Sequence, residues 1–169
     1  MKLREYKKED STIIGRWVRT EEELYLWSAD RFNIFPLLEN TIEEKYRPQI
    51  ESKRFFPLTA IDEDERPAGH FIIRYPKEDD NSRIRFGFVI VSPQLRGKGY
   101  GRQMLTLGLD YARNKFTANT VDLGVFANNE SARHCYEAVG FREYARRQCI
   151  LPIGTWECID MEQPLHPTP

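Results

Sequence analysis

The residues of this chain best suited to chemistry are three alternating glycines threaded with cations, Arg96-Gly97-Lys98-Gly99-Tyr100-Gly101-Arg102. An apolar run, Phe86, Phe88, Val89, Ile90 and Val91, leads into them and stops at Ser92-Pro93, the pattern of a buried strand closed by a turn. Apolar residues at helical spacing follow, among them Met104, Leu105, Leu107, Leu109 and Tyr111. A strand that feeds a glycine-rich turn at a helix amino end makes an anion site, because free N–H groups and the positive end of the helix dipole converge there. Glycine lets the backbone approach oxygen atoms closely, and Arg96, Lys98 and Arg102 can add charge-assisted bonds. The segment reads as a phosphate cradle, with a tight turn carrying a solvated basic face as the bland alternative. A G-x-x-x-x-G-K-[ST] phosphate loop is absent. The dinucleotide fingerprint G-x-G-x-x-G also fails, since Arg102 stands at its third glycine.

A second constellation lies one helix and one strand further on: Asn129, Ala132, Tyr136, Gly140 and Phe141, spaced N-x-x-A-x-x-x-Y-x-x-x-G-F. Together with Arg96-x-x-Gly99-x-Gly101 it resembles the GCN5-related N-acetyltransferases, the GNAT superfamily. The two motifs cover Phe86–Phe141, about a third of the chain. The resemblance implies an α+β fold, with a mixed, mostly antiparallel central sheet of about seven strands, helices on both faces and a splayed parallel strand pair. It implies acetyl-CoA as acyl donor and no metal. Amides around Leu95–Gly101 would hold the pyrophosphate, with Arg96, Gly97, Lys98, Gly99, Tyr100, Gly101 and Arg102 as the binding segment. Phe88, Val89, Ile90 and Val91 would pair with the pantetheine arm where the strands part. Asn129 would hydrogen-bond that arm, the amide of Val89 or Ile90 would polarise the thioester carbonyl, and Tyr136 would lie near the sulfur.

The implied reaction is direct attack of a primary amine on the thioester. A backbone N–H aimed at the developing oxyanion stabilises it by about 3 kcal/mol in other enzymes. The leaving thiol has a pKa of about 8.5, and a phenol of pKa about 10 stays protonated at neutral pH, so Tyr136 fits a general acid. Many GNAT members carry a carboxylate on the strand before the loop. Here that strand reads Arg83-Ile84-Arg85-Phe86-Gly87-Phe88-Val89-Ile90 and has none, which leaves the base open, with His70 and Glu23 as guesses. A non-catalytic acyl-CoA-binding or sensor domain is the alternative that the missing carboxylate supports. A nucleotide binder is disfavoured by the glycine spacing. The acceptor is open among peptide N-termini, polyamines, aminoglycosides and other small amines. Glu21-Glu22-Glu23-Leu24-Tyr25-Leu26-Trp27 resembles the branch that acetylates N-terminal amines of ribosomal proteins. Many GNAT members pair, so a homodimer is a further expectation.

Several of these residues have plainer readings. Tyr136 shares a helical stripe with Ala132, Cys135 and Val139 and could be a core aromatic. Asn129 could be a helix cap or an Asx turn. His70 suits a satisfied structural histidine better than a base. Trp17, Trp27 and Trp156 suit the core. Asp62–Glu65 suits a solvated hairpin, or a patch that draws in a cation.

The elements that must position these groups can be read around them. Met1–Tyr6 reads as a strand, and Glu9-Asp10-Ser11 opens a short helix through Trp17. Thr20-Glu21-Glu22-Glu23 and Thr41-Ile42-Glu43-Glu44 are capping boxes that start two more, the last ending near Pro48 or a turn later. Arg31–Leu38 is apolar without clear period and reads as an ordered loop. Phe56–Ile61, Gly69–Tyr75 and Arg83–Val91 read as three antiparallel strands joined by polar turns. The helix Gly99–Lys115 and the strand Thr120–Phe126 follow, the latter parallel to Phe86–Val91. A helix through Val139 with Gly140 as its cap, then Phe141–Leu151 and Thr155–Gln163 as a hairpin, complete the sheet.

Length and composition bound the rest. At 169 residues the expectation is one domain over residues 1–163 with a disordered tail from Pro164 to Pro169. The charges nearly cancel, 25 basic against 26 acidic, which gives no pointer to nucleic acid or membrane. No apolar run approaches membrane-spanning length and no secretory leader is visible. Cys135, Cys149 and Cys158 lack metal-ligand spacing and read as reduced thiols of a cytoplasmic protein.

Overall fold

The computed structural model describes residues 1–166. One seven-stranded sheet, in the order β1-β2-β3-β4-β5-β7-β6, organises the chain. Its strands are β1 (Lys2–Glu5), β2 (Phe55–Ile61), β3 (Pro67–Arg74), β4 (Arg83–Val91), β5 (Thr120–Phe126), β6 (Arg142–Leu151) and β7 (Gly154–Pro164). All neighbours are antiparallel except β4 and β5, whose parallel ladder holds only Arg83–Thr120, Ile84–Val121 and Arg85–Asp122. Beyond Arg85 and Asp122 the two strands continue without pairing, and the sheet opens there into a wedge.

Helices α1 (Asp10–Trp17), α2 (Glu21–Ser28) and α3 (Thr41–Glu51) precede β2, while α4 (Tyr100–Lys115) and α5 (Glu130–Ala138) flank β5 in sequence. Alternation along the strands sends one set of side chains to each layer. Phe71, Ile73, Ile84 and Phe86 join Met104, Leu105 and Leu109 of α4 in the larger core. Ile72 and Ile90 instead join Ile14 and Trp17 of α1, Leu24 of α2 and Tyr46 of α3. The helices thus cover both faces, which buries the apolar side of each against the sheet.

Local signals account for the helix starts. Thr20 caps α2, its hydroxyl accepting from the Glu23 N–H at 3.0 Å, while the Glu23 carboxylate turns back to the Arg19 N–H at 2.8 Å. At α3 the expected cap moves by one residue. Asn40, at φ 72°, precedes the helix and Thr41 lies inside it. Pro48 does not end α3, which runs on to Glu51. The loop 31–38 is irregular as expected, with Phe32 buried and Ile34 and Leu38 exposed.

The expected tail begins too early. Pro164 pairs with Thr120 at the end of β7. Leu165 is fully buried, and its backbone is held by Asn119 at 2.8 Å and by Arg113 at 2.9 Å. Residues 167–169 lie outside the described residues. Among the described residues no helix is long and apolar enough to cross a membrane, and no group of three His, Cys, Asp or Glu could hold a metal ion.

Candidate active site

The wedge opens between β4, which leads into the glycine loop, and β5, which leads into the Asn129–Phe141 segment. Opposite Phe71 of β3, strand β4 inserts an extra residue. The register passes from Ile72–Gly87 to His70–Ile90, so Phe88 and Val89 face one partner. Phe88 sits at φ 49°, the conformation a bulge demands and one an aromatic residue rarely adopts. Its ring is held by Trp27, Phe32 and Tyr46 at centroid distances of 5.4, 5.8 and 5.6 Å. Val89 and Val91 turn the other way, toward the core shared with Tyr136 and Cys135. The bulge therefore disrupts the ladder where the wedge opens.

A single 3₁₀ turn, Pro93–Leu95, leads from β4 to the glycine loop. Gly97 and Gly99 have φ of 72° and 81° with open space where a Cβ would stand, so glycine is needed there for conformation and not for room. Gly99 precedes α4 with no side-chain cap. The first bond of the helix runs from the Gln103 N–H to the Gly99 carbonyl at 3.1 Å, which leaves the amides of Tyr100, Gly101 and Arg102 for an outside acceptor. Lys98 and Arg102 are exposed and make no ion pair among the described residues. Arg96 behaves differently. Its guanidinium donates to Glu23 at 2.9 Å, to the Trp17 carbonyl at 3.2 Å and to the Val91 carbonyl at 3.1 Å. Its charge is spent tying the loop to α1, α2 and β4.

Across the wedge, Asn129 caps α5 by accepting from the Ala132 N–H at 3.3 Å, which leaves its amide N–H₂ unengaged among the described residues. Tyr136 is buried against Phe141 at 6.1 Å, and its hydroxyl makes no protein hydrogen bond among the described residues. Burial, then the nearby Cys135, raises its pKa above the ordinary phenol value. The structure thus places Tyr136 in the core, as the helical stripe implies, packed with Val125 and Phe141 and near Val89 and Val91.

The two guessed bases are unsuited to the task. Burial works against ionisation of Glu23, but hydrogen bonds from Arg19 and Arg96 outweigh it and take its carboxyl down to about 2. His70 is fully buried, shares a 3.0 Å hydrogen bond with Tyr46, and is pushed down to about 3, chiefly by burial and against the pull of Asp10.

A cavity of about 400 Å³ lies on the α2 side of the wedge, walled by Trp27, Phe88, Phe126 and Leu151. Its floor is polar, and the sequence reading missed it. Arg85 bonds Asp122 at 3.2 Å and Asp160 at 2.9 Å, and Arg147 reaches Asp160 at 2.9 Å. Gly124 makes room for this cluster, because a Cβ there would stand 2.8 Å from the Arg85 guanidinium. The available signal was charge at strand positions, Arg74, Arg85, Asp122 and Asp160, each flanked on both sides by apolar residues.

Comparison with known proteins agrees with this geometry. The family model described as the acetyltransferase (GNAT) family matches residues 18–141. A mycothiol acetyltransferase of Rhodococcus jostii is 31% identical over 104 residues, which cover 60% of this chain and 34% of that protein. The chain thus spans about a third of the length of the mycothiol acetyltransferases it matches. A spermidine N(1)-acetyltransferase of Vibrio cholerae is 34% identical over 55 residues, 32% of each chain. A crystal structure of spermidine N-acetyltransferase from Vibrio cholerae in complex with CoA and spermine superposes with a TM-score of 0.80 at 20% identity, covering 96% of this chain and 94% of that one. At that identity the likeness is one of fold. The family model spans both motifs, the glycine loop and the Asn129–Phe141 segment, and the chain belongs to the acetyltransferase (GNAT) family.

Proposed function

We propose that the protein is an acetyl-CoA-dependent N-acetyltransferase that acetylates a primary amine by direct attack. The observation that carries this reading is the open β4–β5 wedge with the uncapped, glycine-led amino end of α4 at its mouth. Those features suit coenzyme A, whose pyrophosphate matches free helix-terminal amides and whose extended arm matches an unpaired strand edge. The Vibrio cholerae enzyme of the same fold holds CoA.

In this reading the amides of Leu95–Arg102, with Lys98 and Arg102, bind the pyrophosphate. Phe88–Val91 align the arm, Asn129 donates to it, and the amide of Val89 or Ile90 faces the thioester oxygen. Acetyl-CoA supplies an activated carbonyl. The neutral amine forms the new C–N bond, the C–S bond breaks, and the proton lost from nitrogen ends on the thiolate. Tyr136 steadies that sulfur by donating a hydrogen bond. With Glu23 tied and His70 buried, proton removal from the amine falls to water. The three cysteines, unpaired in the structure, fit the reducing conditions of a cytoplasmic enzyme.

The same lack of a base favours one other reading, an acyl-CoA-binding domain without turnover. Mass-detected acetylation across a panel of amines decides between them. Turnover that falls sharply in Tyr136→Phe supports the enzyme. Tight acetyl-CoA binding with no acetylated product on any amine supports the binding domain, and absence of binding removes both.

A further inference from the structure

The cavity under α2 has a charge balance that speaks to the acceptor. Its lining carries Arg31, Arg74, Arg85 and Arg147 against Asp30, and behind that lining Asp122 and Asp160 pair with Arg85 and Arg147, while Arg83 is shared by Asp122 and Glu162. Arg31 at the rim meets Asp30 at 2.7 Å. Arg74, on the same floor, is left over. It is half-buried, and its guanidinium makes no ion pair or hydrogen bond among the described residues. It stands directly opposite Arg85 in the β3–β4 register, where like charges destabilise a strand pair. Burial and the neighbouring Arg85 and Arg31 lower its pKa, against a pull from Asp122. A partly buried cation with cations for neighbours is an expensive feature unless an anion joins it.

A second orphan donor lies on the same wall. The indole N–H of Trp27 is buried without an acceptor among the described residues. Both unsatisfied groups are donors, and both ask for oxygen. The aromatic wall of Trp27, Phe88 and Phe126 suits a short apolar spacer. Phe88, at the wedge, lies three residues along β4 from Arg85, about 10 Å at the usual strand rise. The arginine side chain spans part of that distance.

We propose that this cavity receives the acceptor and that Arg74 binds the acceptor's own carboxylate, so that the enzyme acetylates aminocarboxylates, their amine several bonds from the anion, and discriminates against polyamines. The inference rests on the acetyltransferase reading above. A polyamine would bring further positive charge to a cavity already one cation in excess. The acidic hairpin Asp62–Glu65 offers it no help, since none of those residues lines the cavity.

The test is a chain-matched panel on the full protein: β-alanine, γ-aminobutyrate and ε-aminocaproate against propylamine, butylamine and hexylamine, with putrescine, cadaverine and aminopropylphosphonate. The wild type is expected to show kcat/KM at least tenfold higher for the best aminocarboxylate than for its alkylamine match, with the diamines lower still. Arg74→Gln is expected to shrink that ratio at least tenfold. Calorimetry on the CoA-loaded protein reads the same preference without turnover, ε-aminocaproate binding at least tenfold tighter than hexylamine or cadaverine. Diamines matching the aminocarboxylates, an unchanged ratio in Arg74→Gln, or no detectable aminocarboxylate binding would each overturn the proposal. Preference for the phosphonate over γ-aminobutyrate would overturn the carboxylate assignment. Aminocarboxylate binding without acetylation of any amine would instead remove the acetyltransferase reading and leave the anion site standing.

Discussion

At the scale of single residues, acidity decides roles. Burial raises the Tyr136 phenol above its ordinary value, so complete proton transfer to a thiolate of pKa about 8.5 runs uphill. What the hydroxyl can do is donate a hydrogen bond as charge gathers on sulfur. Tyr136→Phe is therefore expected to lower kcat by roughly 100-fold, in the range of one lost hydrogen-bond donor to developing charge, with little change in the KM for acetyl-CoA. Steady-state kinetics with mass-detected product checks it, and an unchanged kcat would leave Tyr136 as a packing partner of Phe141 alone. The two guessed bases carry a second expectation. Glu23 at about 2 and His70 at about 3 titrate below the working range, so the wild-type log kcat/KM should climb with unit slope from about pH 6 to 9 as an alkylamine acceptor loses its proton. A plateau that sets in near pH 6.5 would reveal an enzyme base and contradict the water-mediated path.

At the scale of elements, the glycine loop separates two kinds of cation that sequence alone could not. Lys98 and Arg102 stand free beside the amino end of α4, whereas Arg96 faces inward to Glu23, Trp17 and Val91. Lys98→Gln and Arg102→Gln are expected to weaken CoA binding and flatten its salt dependence without altering stability. Arg96→Gln should lower stability by about 1–3 kcal/mol, because three acceptors lose a charged donor. Salt-dependent calorimetry and urea titration read the two effects separately. The loop, the Asn129–Phe141 segment and most of the strands were legible because each depends on local signals: glycine at positive φ, capping residues, and apolar period. The start of α3 at Thr41 was legible, but its cap was misplaced by one residue, because Asn40, in a left-handed conformation, takes that position. Pro164 and Leu165 looked like tail because their partners, Thr120, Asn119 and Arg113, lie 44–52 residues away in sequence. The cavity floor was illegible for the same reason. Arg74, Arg85, Asp122 and Asp160 come from four strands, and only the sheet order brings them together.

At the scale of the whole molecule, the layer between the sheet and α1–α3 encloses a histidine whose burial favours the neutral form. His70 is fully buried beside Tyr46, and its pKa in the native state is pushed down to about 3, against about 6.5 in an unfolded chain. Below pH 6.5 the unfolded chain therefore binds a proton that the native protein refuses. The unfolded state then holds more protons, so stability rises with pH and falls as pH drops from about 6.5 toward 3, by at most about 1.4 kcal/mol per pH unit. Glu23 acts in the same sense but lower. Its carboxyl lies near 2 in the native state, so its contribution is complete above the ordinary carboxylate range and is lost only as pH falls through that native value. It lies at the surface, only partly buried, where solvent screening keeps its contribution small. Between about pH 6.5 and 4.5 the loss should thus be dominated by His70. His70→Gln removes the titration while keeping a polar partner for the Tyr46 hydroxyl. Urea midpoints measured across that interval should decline in the wild type and stay nearly level in His70→Gln, even if the variant is less stable at neutral pH. Parallel curves for the two proteins would mean that His70 takes up its proton without unfolding, and that the layer beneath α1 and α3 admits a charge which its packing argues against.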